Sequence, residues 1–158
     1  MAAAVICSAL PAQAAQTWDS SKQKDLGQDH VKMQWYVLDY GVKEEVPFAV
    51  SRKYYTNESV KQQTIDLLMS KYNIAPDVAG SIYFTEYGYE YSKDGKQFAV
   101  TYLRHYDMLG NEIYGTVYDD SSEATKKVFA AVDAKSTPGK CVALAIPKAP
   151  AKAPAKKK

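Results

Sequence analysis

An aromatic stretch, residues 83–106, constrains the fold most strongly, because two segments of alternating side chains flank one tight-turn signal. The stretch contains six of the thirteen tyrosines, and the turn signal is Asp94-Gly95. A dipeptide of this kind between two alternating apolar runs is the strongest short-range sign of a β-hairpin. The stretch therefore predicts two antiparallel strands joined by a tight turn.

The pairing register of this hairpin has two alternatives. A two-residue turn pairs Tyr87 with Tyr102, whereas a three-residue loop with a glycine bulge pairs Tyr87 with Thr101 and turns the second strand over. The two-residue turn separates polar from apolar side chains more cleanly, and we therefore favour it. In that register one face is almost wholly aromatic, and its candidate ligand or partner contacts are Tyr83, Tyr87, Tyr89, Tyr102, Arg104 and Tyr106.

The aromatic face has two interpretations. If a helix covers it, most of its tyrosines belong to the core and only their hydroxyls reach the rim. Arg104 then meets a ring face through a cation–π contact. If some rings stay uncovered, they form a contact surface, because tyrosine is a preferred contact residue at protein and glycan surfaces. We expect a core role for the face as a whole and a binding role for the uncovered rings.

The segments before the hairpin predict two strands and a helix. Side chains alternate in residues 31–40 and in residues 47–56, which predicts the two strands. Asn57 is a good N-terminal cap and Asn73 is a good left-handed stop, and they bound an amphipathic helix over residues 58–72. The apolar stripe of this helix is expected to cover the aromatic face of the hairpin.

The segments after the hairpin predict a third strand of the meander and a second helix. A turn at residues 109–111 leads into a strand over residues 112–118. A capping pattern that begins at Asp120 predicts a helix over residues 121–135. The short apolar run of residues 140–147 is expected to add an edge strand.

The order of these elements is strand, strand, helix, three strands, helix and an optional last strand. Runs of strands beside separate helices predict an α+β fold, with a single antiparallel sheet of about five strands and two helices packed on one face. The length suits a single domain, which we place at residues 17–146.

Residues 1–14 resemble the end of a secretory signal. An apolar run is followed by Ala12-Gln13-Ala14, the small-x-small pattern that signal peptidase accepts. The positively charged region that normally opens such a signal is missing, so a start upstream of Met1 and a short apolar strand are both alternatives. We expect an exported protein of the periplasm or cell surface of a bacterium. No other run approaches the ~20 apolar residues of a membrane-spanning helix.

Residues 147–158 contain only proline, lysine and alanine, a composition that predicts a disordered tail. Five of the twenty basic residues lie in this tail, so the rest of the chain has fifteen bases against eighteen acids. One interpretation is contact with an anionic envelope component such as peptidoglycan, teichoic acid or lipid headgroups. The other is a solubilising tail. The candidate envelope contacts are Lys148, Lys152, Lys156, Lys157 and Lys158.

The sequence contains none of the common catalytic or metal-site motifs. His30 and His105 are the only histidines, and neither stands in a metal-ligand spacing, so we expect no metal and no cofactor. A nucleophile elbow, a glycine-rich phosphate loop and a basic patch interleaved with aromatics are all missing. Cys141 is expected to be a buried small hydrophobe, with an intermolecular disulfide and a residue without a role as alternatives.

Three segments, residues 53–72, 81–114 and 121–132, carry a resemblance to a known family, together with a Tyr-Asp-x-x-Gly-Asn turn at residues 106–111. They resemble small exported proteins of diderm Firmicutes related to the surface-adhesin protein E family. The resemblance spans roughly residues 35–132 and implies a non-enzymatic α+β domain of the cell surface or periplasm, which in some members binds host matrix proteins. The chain lacks the cysteine pair expected of this family, and its basic tail is an addition.

We therefore expect a non-catalytic, adhesin-like binding module whose basic tail contacts the anionic cell envelope or a protein partner, and which binds no nucleic acid. One alternative is a small secreted enzyme that uses Glu86, Glu90 and His105 on the open sheet face. Glu86 and Glu90 are too far apart along one strand to act as a carboxylate pair on one bond, and they are expected to belong to a solvated face. The other alternative is an accessory protein or inhibitor that adds an edge strand to a partner.

Overall fold

The computed structural model describes residues 14–148. Its strands are β1 (Lys24–Gln28), β2 (Gln34–Lys43), β3 (Val46–Tyr54), β4 (Ile82–Tyr91), β5 (Gln97–Asp107), β6 (Glu112–Val117) and β7 (Ala130–Ala131). Its α-helices are α1 (Glu58–Tyr72), α2 (Pro76–Gly80) and α3 (Thr137–Ala145), and short 3-10 turns lie at Ser20–Lys22 and Glu123–Thr125.

The strands β1 to β6 form one open antiparallel sheet in which spatial order follows sequence order, and β7 adds a short pairing to β5. This confirms the predicted α+β fold with a single antiparallel sheet and helices on one face. The sheet is larger than the expected five strands because β1 and β7 also pair. The sequence does not predict β1, since it is polar apart from Leu26 and Gly27.

The two faces of the sheet differ in what covers them. The helix face carries Lys53, Thr85, Tyr87, Tyr89 and His105, and α1 and α3 both pack on this side. The open face carries Tyr36, Arg52, Tyr54, Glu86 and Arg104. No helix of the described chain packs on the open face.

The helix α1 begins and ends where the sequence predicts. The side chain of Asn57 accepts hydrogen bonds from the backbone N–H groups of Ser59 and Val60 at 3.0 and 3.3 Å. Its amide also donates to the carbonyl oxygen of Val31 at 2.9 Å, which fixes the start of the helix to the loop before β2. Asn73 ends the helix in the left-handed conformation with φ of 57°.

The stripe of α1 packs on the ends of β4 and β6, and it does not reach the hairpin tyrosines. Leu68 is fully buried against Ile82 and Ala79. The rings of Tyr72 and Tyr114 stack with their centroids 4.0 Å apart. The expectation that this stripe covers the aromatic face of the hairpin is therefore wrong.

The hairpin tyrosines pack instead under α3. Cys141 is completely buried and forms one core cluster with Val37, Ala49, Tyr89 and Tyr91. Burial raises the pKa of its thiol to about 12, so the thiol stays protonated and behaves as a small hydrophobe. This confirms the expected burial of Cys141.

The C-terminal helix and strand are exchanged relative to the prediction. Residues 121–135 form no α-helix, because Asp120 takes a left-handed φ of 60° and its carboxylate accepts from the Lys127 backbone N–H. The apolar run predicted as a strand belongs to α3. Ser136 caps this helix, and Cys141 and Ala145, four residues apart, give it a buried stripe.

Neither predicted hairpin register holds along the whole of β4 and β5. Close to the turn, the pairing is that of the favoured register, the one predicted for a two-residue turn, since Tyr89 pairs with Val100. A bulge then shifts the pairing, so that Gly88 faces Tyr102 and Tyr87 faces Leu103. The shift is possible because Gly88 has no side chain: a Cβ there would overlap the ring of Tyr102.

We expect Gly139→Ala to destabilise the protein by about 1–3 kcal/mol, because its new methyl group would overlap the backbone carbonyl of Asp133. Gly80→Ala is the matched control, since its Cβ meets no atom within 4 Å and alanine favours the helix. Urea denaturation of both variants measures the difference. Equal stabilities would contradict the described packing of α3.

Candidate functional site

The predicted contact residues lie on both faces of the sheet and not on one. Tyr87 and Tyr89 are on the helix face, where burial raises the pKa of Tyr87 to about 12. Tyr102, Arg104 and Tyr106 are on the open face. The bulge in β5 therefore divides the set that the favoured register had placed together.

Glu86 carries a buried carboxylate at the centre of the open face, where it is 2% exposed. Arg52 Nη2 and Trp18 Nε1 donate to its Oε2 at 3.1 and 3.2 Å, and the Tyr102 hydroxyl donates to its Oε1 at 2.9 Å. The expectation of a solvated face is wrong for Glu86, because donors from three separate segments close over it. Glu90 is partly buried on the same face and pairs with Lys127 at 3.2 Å.

Residues 14–18 lie along the open face and bring Trp18 to Glu86. Ala14 forms an antiparallel bridge with Asn111, and the Ala15 N–H donates to the carbonyl of Gly110 at 2.7 Å. Of the signal-like segment, only Ala14 belongs to the described residues. Residues 1–13 lie outside them.

A second feature of the open face is a group of three tyrosine rings, Tyr36, Tyr54 and Tyr83, which we name the tyrosine surface. The ring centroid of Tyr54 lies 5.8 Å from that of Tyr36 and 5.6 Å from that of Tyr83, and both pairs meet edge to face. Tyr83 is 45% exposed. The rings line a shallow hollow of about 510 Å³, together with Gln23, Gln34, Leu38 and Thr56.

The helix face contains a narrower hollow between α1 and the sheet, which we name the Lys53 cleft. The ammonium of Lys53 lies 5.7, 5.1 and 5.5 Å from the ring centroids of Trp35, Tyr55 and Tyr87. The cleft has a volume of about 180 Å³. Its remaining lining is Thr64, Leu67, Tyr72, Leu103, His105, Tyr114, Thr116 and Tyr118.

His105 is buried at the base of the Lys53 cleft. Its Nδ1 shares a hydrogen bond of 2.8 Å with the Thr85 hydroxyl, which shares another of 2.7 Å with the Tyr55 hydroxyl. Burial, with a smaller effect of the Lys53 charge, lowers the pKa of His105 to about 4. The imidazole is therefore neutral at physiological pH.

The polar residues considered for catalysis are not brought together. Glu86 and Glu90 lie on the open face, and His105 lies on the helix face, so the sheet separates the histidine from both carboxylates. Within residues 14–148 no group of three His, Cys, Asp or Glu side chains is placed to hold a metal ion. In the same part of the chain, no helix has the length and apolar composition needed to span a membrane.

The basic tail is described only at its start. Lys148 follows α3 and is exposed. Lys152, Lys156, Lys157 and Lys158 lie outside the described residues, so their predicted contact with the envelope stays a prediction.

Comparison with models of protein families, with curated proteins and with solved structures finds no match for this chain. The class that the structure defines is therefore that of its fold, an α+β domain with an open antiparallel sheet. The resemblance to the protein E family stays a prediction.

Sequence reasoning missed Tyr36, Tyr54 and Lys53 as candidate site residues. All three lie on predicted strands, and the pattern there gives only the alternation of two faces. Their grouping depends on the pairing of β2 with β3 and of β3 with β4, which places Tyr36 near Tyr54 and Lys53 beside Trp35. A correct strand order would have been needed to find them.

The low pKa of His105 predicts a loss of stability on acidification. An unfolded histidine binds a proton near pH 6.5, whereas folded His105 binds one only near pH 4, so the free energy of unfolding should fall as the pH drops between these values. The loss should reach up to roughly 3 kcal/mol. Urea denaturation across this range measures it.

One variant identifies the source of this pH dependence. His105→Gln should flatten the curve between pH 6.5 and 4. An NMR titration in which the imidazole of His105 protonates near pH 6.5 would refute the prediction.

Proposed function

We propose that the protein is a non-catalytic binding module of the bacterial cell envelope, which contacts a glycan through the tyrosine surface and an anionic polymer through its basic tail. The observation that carries the proposal is the group of three rings left uncovered on the open face. No helix of residues 14–148 packs over Tyr36, Tyr54 or Tyr83, and Tyr83 keeps almost half of its surface exposed.

The chemistry of the tyrosine surface suits an uncharged, hydroxyl-rich ligand. No charged side chain lines the hollow. Sugar rings present apolar C–H faces that pack on aromatic rings, and their hydroxyls exchange hydrogen bonds with phenol and amide groups. Gln23 and Gln34 supply amide groups beside the rings. A glycan chain therefore fits this surface better than a charged ligand does.

The rings are held in place before any ligand arrives. Tyr54 is wedged between Tyr36 and Tyr83, its ring also lies 5.7 Å from that of Phe84, and its hydroxyl accepts from Arg52 Nη1 at 3.4 Å. Arg52 is in turn fixed by Glu86. Groups that are already ordered lose little entropy on binding, which favours a recognition role.

The tail supports the envelope part of the proposal through its charge. Its five lysines follow α3 directly, whereas the remainder of the chain has more acids than bases. A polycation that extends from an acidic domain is attracted to teichoic acid, peptidoglycan carboxylates or lipid headgroups. The signal-like residues 1–14 would bring the protein to this compartment.

Replacing Tyr83 by alanine should weaken binding to purified peptidoglycan stripped of teichoic acid about tenfold, or roughly 1.4 kcal/mol, because an exposed stacking ring is lost. Phe129→Ala is the matched control, since Phe129 has a similar exposure of 43% far from the tyrosine surface. Sedimentation with the insoluble glycan measures retention. Equal retention of both variants would refute the glycan contact.

Removing residues 147–158 should lower retention on isolated cell envelopes, and added salt should weaken binding of the full chain more than binding of the shortened one. A variant with all five tail lysines changed to glutamine keeps the length and the proline spacing. It should behave like the truncated chain. Equal pull-down of the full-length and shortened proteins would exclude the tail as a tether.

A further inference from the structure

The Lys53 cleft lies on the opposite side of the sheet from the tyrosine surface and has a different chemistry. Lys53 stands on β3, a central strand, and its side chain lines the hollow between α1 and the helix face of the sheet. The ammonium is surrounded by the rings of Trp35, Tyr55 and Tyr87, each with its centroid within 5.7 Å. A positive charge is thus held among three aromatic rings.

Within the described residues, no carboxylate forms an ion pair with the Lys53 ammonium. Among residues 14–148 no acidic side chain lies within 4.0 Å of the Lys53 ammonium, and none lines the cleft. The neighbouring residue on the same strand shows the contrast, because Arg52 meets the buried carboxylate of Glu86 at 3.1 Å. One strand therefore presents a neutralised cation on the open face and an unneutralised cation on the helix face.

The surrounding rings do not replace an anion. A cation–π contact contributes about 0.5–2 kcal/mol, depending on how far water is excluded. It supplies no hydrogen-bond acceptor for the three N–H donors of the ammonium. A ligand oxygen with negative charge would satisfy both the donors and the charge, and such charge-assisted hydrogen bonds are about twice as strong as neutral ones.

The other polar groups near the cleft are neutral or already engaged. His105 is uncharged at physiological pH, and the hydroxyls of Thr64, Thr116 and Tyr118 are neutral hydrogen-bonding groups. Asp29 is an acid that is hydrogen-bonded to one of these rings, through the Trp35 indole N–H. Although burial opposes its ionisation, hydrogen bonds from Trp35 and two backbone N–H groups hold its pKa below the usual value. The Asp29 carboxylate therefore accepts a hydrogen bond from Trp35 and forms no ion pair with Lys53.

A larger hollow of about 520 Å³ lies on the other side of Trp35, but its lining does not favour one class of ligand. Acids and bases both line it, among them Asp29, Asp133, Lys135 and Lys140. Lys140 already donates to the Leu26 carbonyl at 2.8 Å. Charges of both signs select no single ligand class, whereas the Lys53 cleft has one sign of charge and aromatic walls.

We infer that the Lys53 cleft binds a small organic anion, a phosphate or carboxylate group joined to a flat apolar body. The anionic group would accept hydrogen bonds from the Lys53 ammonium, and the body would pack between the ring of Tyr87 and the stacked pair of Tyr72 and Tyr114. A volume of about 180 Å³ admits a ligand of this size and excludes a polymer. This site is separate from the glycan contact on the open face.

Calorimetric titration of the full-length protein with phenyl phosphate, benzoate and phenol tests the inference. Phenyl phosphate or benzoate should bind at least tenfold more tightly than phenol, which has the ring without the charge. The comparison of the two anions shows whether phosphate or carboxylate is preferred. In an NMR titration, the resonances that move should include the Trp35 indole N–H.

Lys53→Met keeps the apolar stem and removes the charge, and it should weaken binding of the preferred anion at least tenfold. Lys96→Met, at an exposed position on the hairpin loop, is the matched control and should leave the affinity unchanged. Lys53→Arg should retain part of it, and thermal melting shows whether each variant is folded. If Lys53→Met is folded and binds equally well, or if phenol binds as tightly as the anions, the inference is overturned.

The same titration separates this site from the proposed glycan contact. Tyr83→Ala should leave the affinity for the preferred anion unchanged, and Lys53→Met should leave retention on peptidoglycan unchanged. If Tyr83→Ala reduces the anion affinity as strongly as Lys53→Met does, the anion is bound on the open face and the assignment to the cleft fails.

Discussion

The chemistry of both sheet faces depends on the bulge that shifts β5 by one position against β4. Beyond it, Leu103 and His105 turn towards the helices, and Tyr102 turns to the open face with its hydroxyl on Glu86. The shift needs a position on β4 without a side chain, and Gly88 provides it. Without the bulge, Tyr102 would lie beneath the helices and Glu86 would lose a donor.

Glu86 shows how a charge is accommodated inside a small sheet. Removing a carboxylate from water is costly, and the structure offsets that cost with three donors, one of them the Arg52 guanidinium. Trp18 reaches Glu86 from a segment before β1, so the charge also ties the N-terminal residues to the open face. The same Arg52 contacts Tyr54, which links the buried pair to the tyrosine surface.

The sequence predicts local features of this fold well and distant ones poorly. The ends of α1 follow from Asn57 and Asn73, because capping depends on neighbours within a few residues. The exchange of helix and strand near the C-terminus has a local cause too, since Ser136 caps α3 and Cys141 lies one helical turn before Ala145, whereas the prediction rested on the short apolar run alone. The burial of Glu86 depends on segments far apart in the chain, and no local pattern reveals it. The grouping of the aromatic rings on each face also depends on the pairing of distant strands, so the sequence did not predict the candidate sites.

The position of α3 has a mechanical consequence. The helix is joined directly to the basic tail, and it is held on β2 and β3 by side-chain packing around Cys141, not by a ladder of backbone hydrogen bonds. If the tail is fixed to an envelope polymer, a pulling force enters the domain through α3. Side-chain contacts would then yield before the six paired strands do, and the first rupture would uncover Tyr89 and Tyr91 while leaving the open face intact.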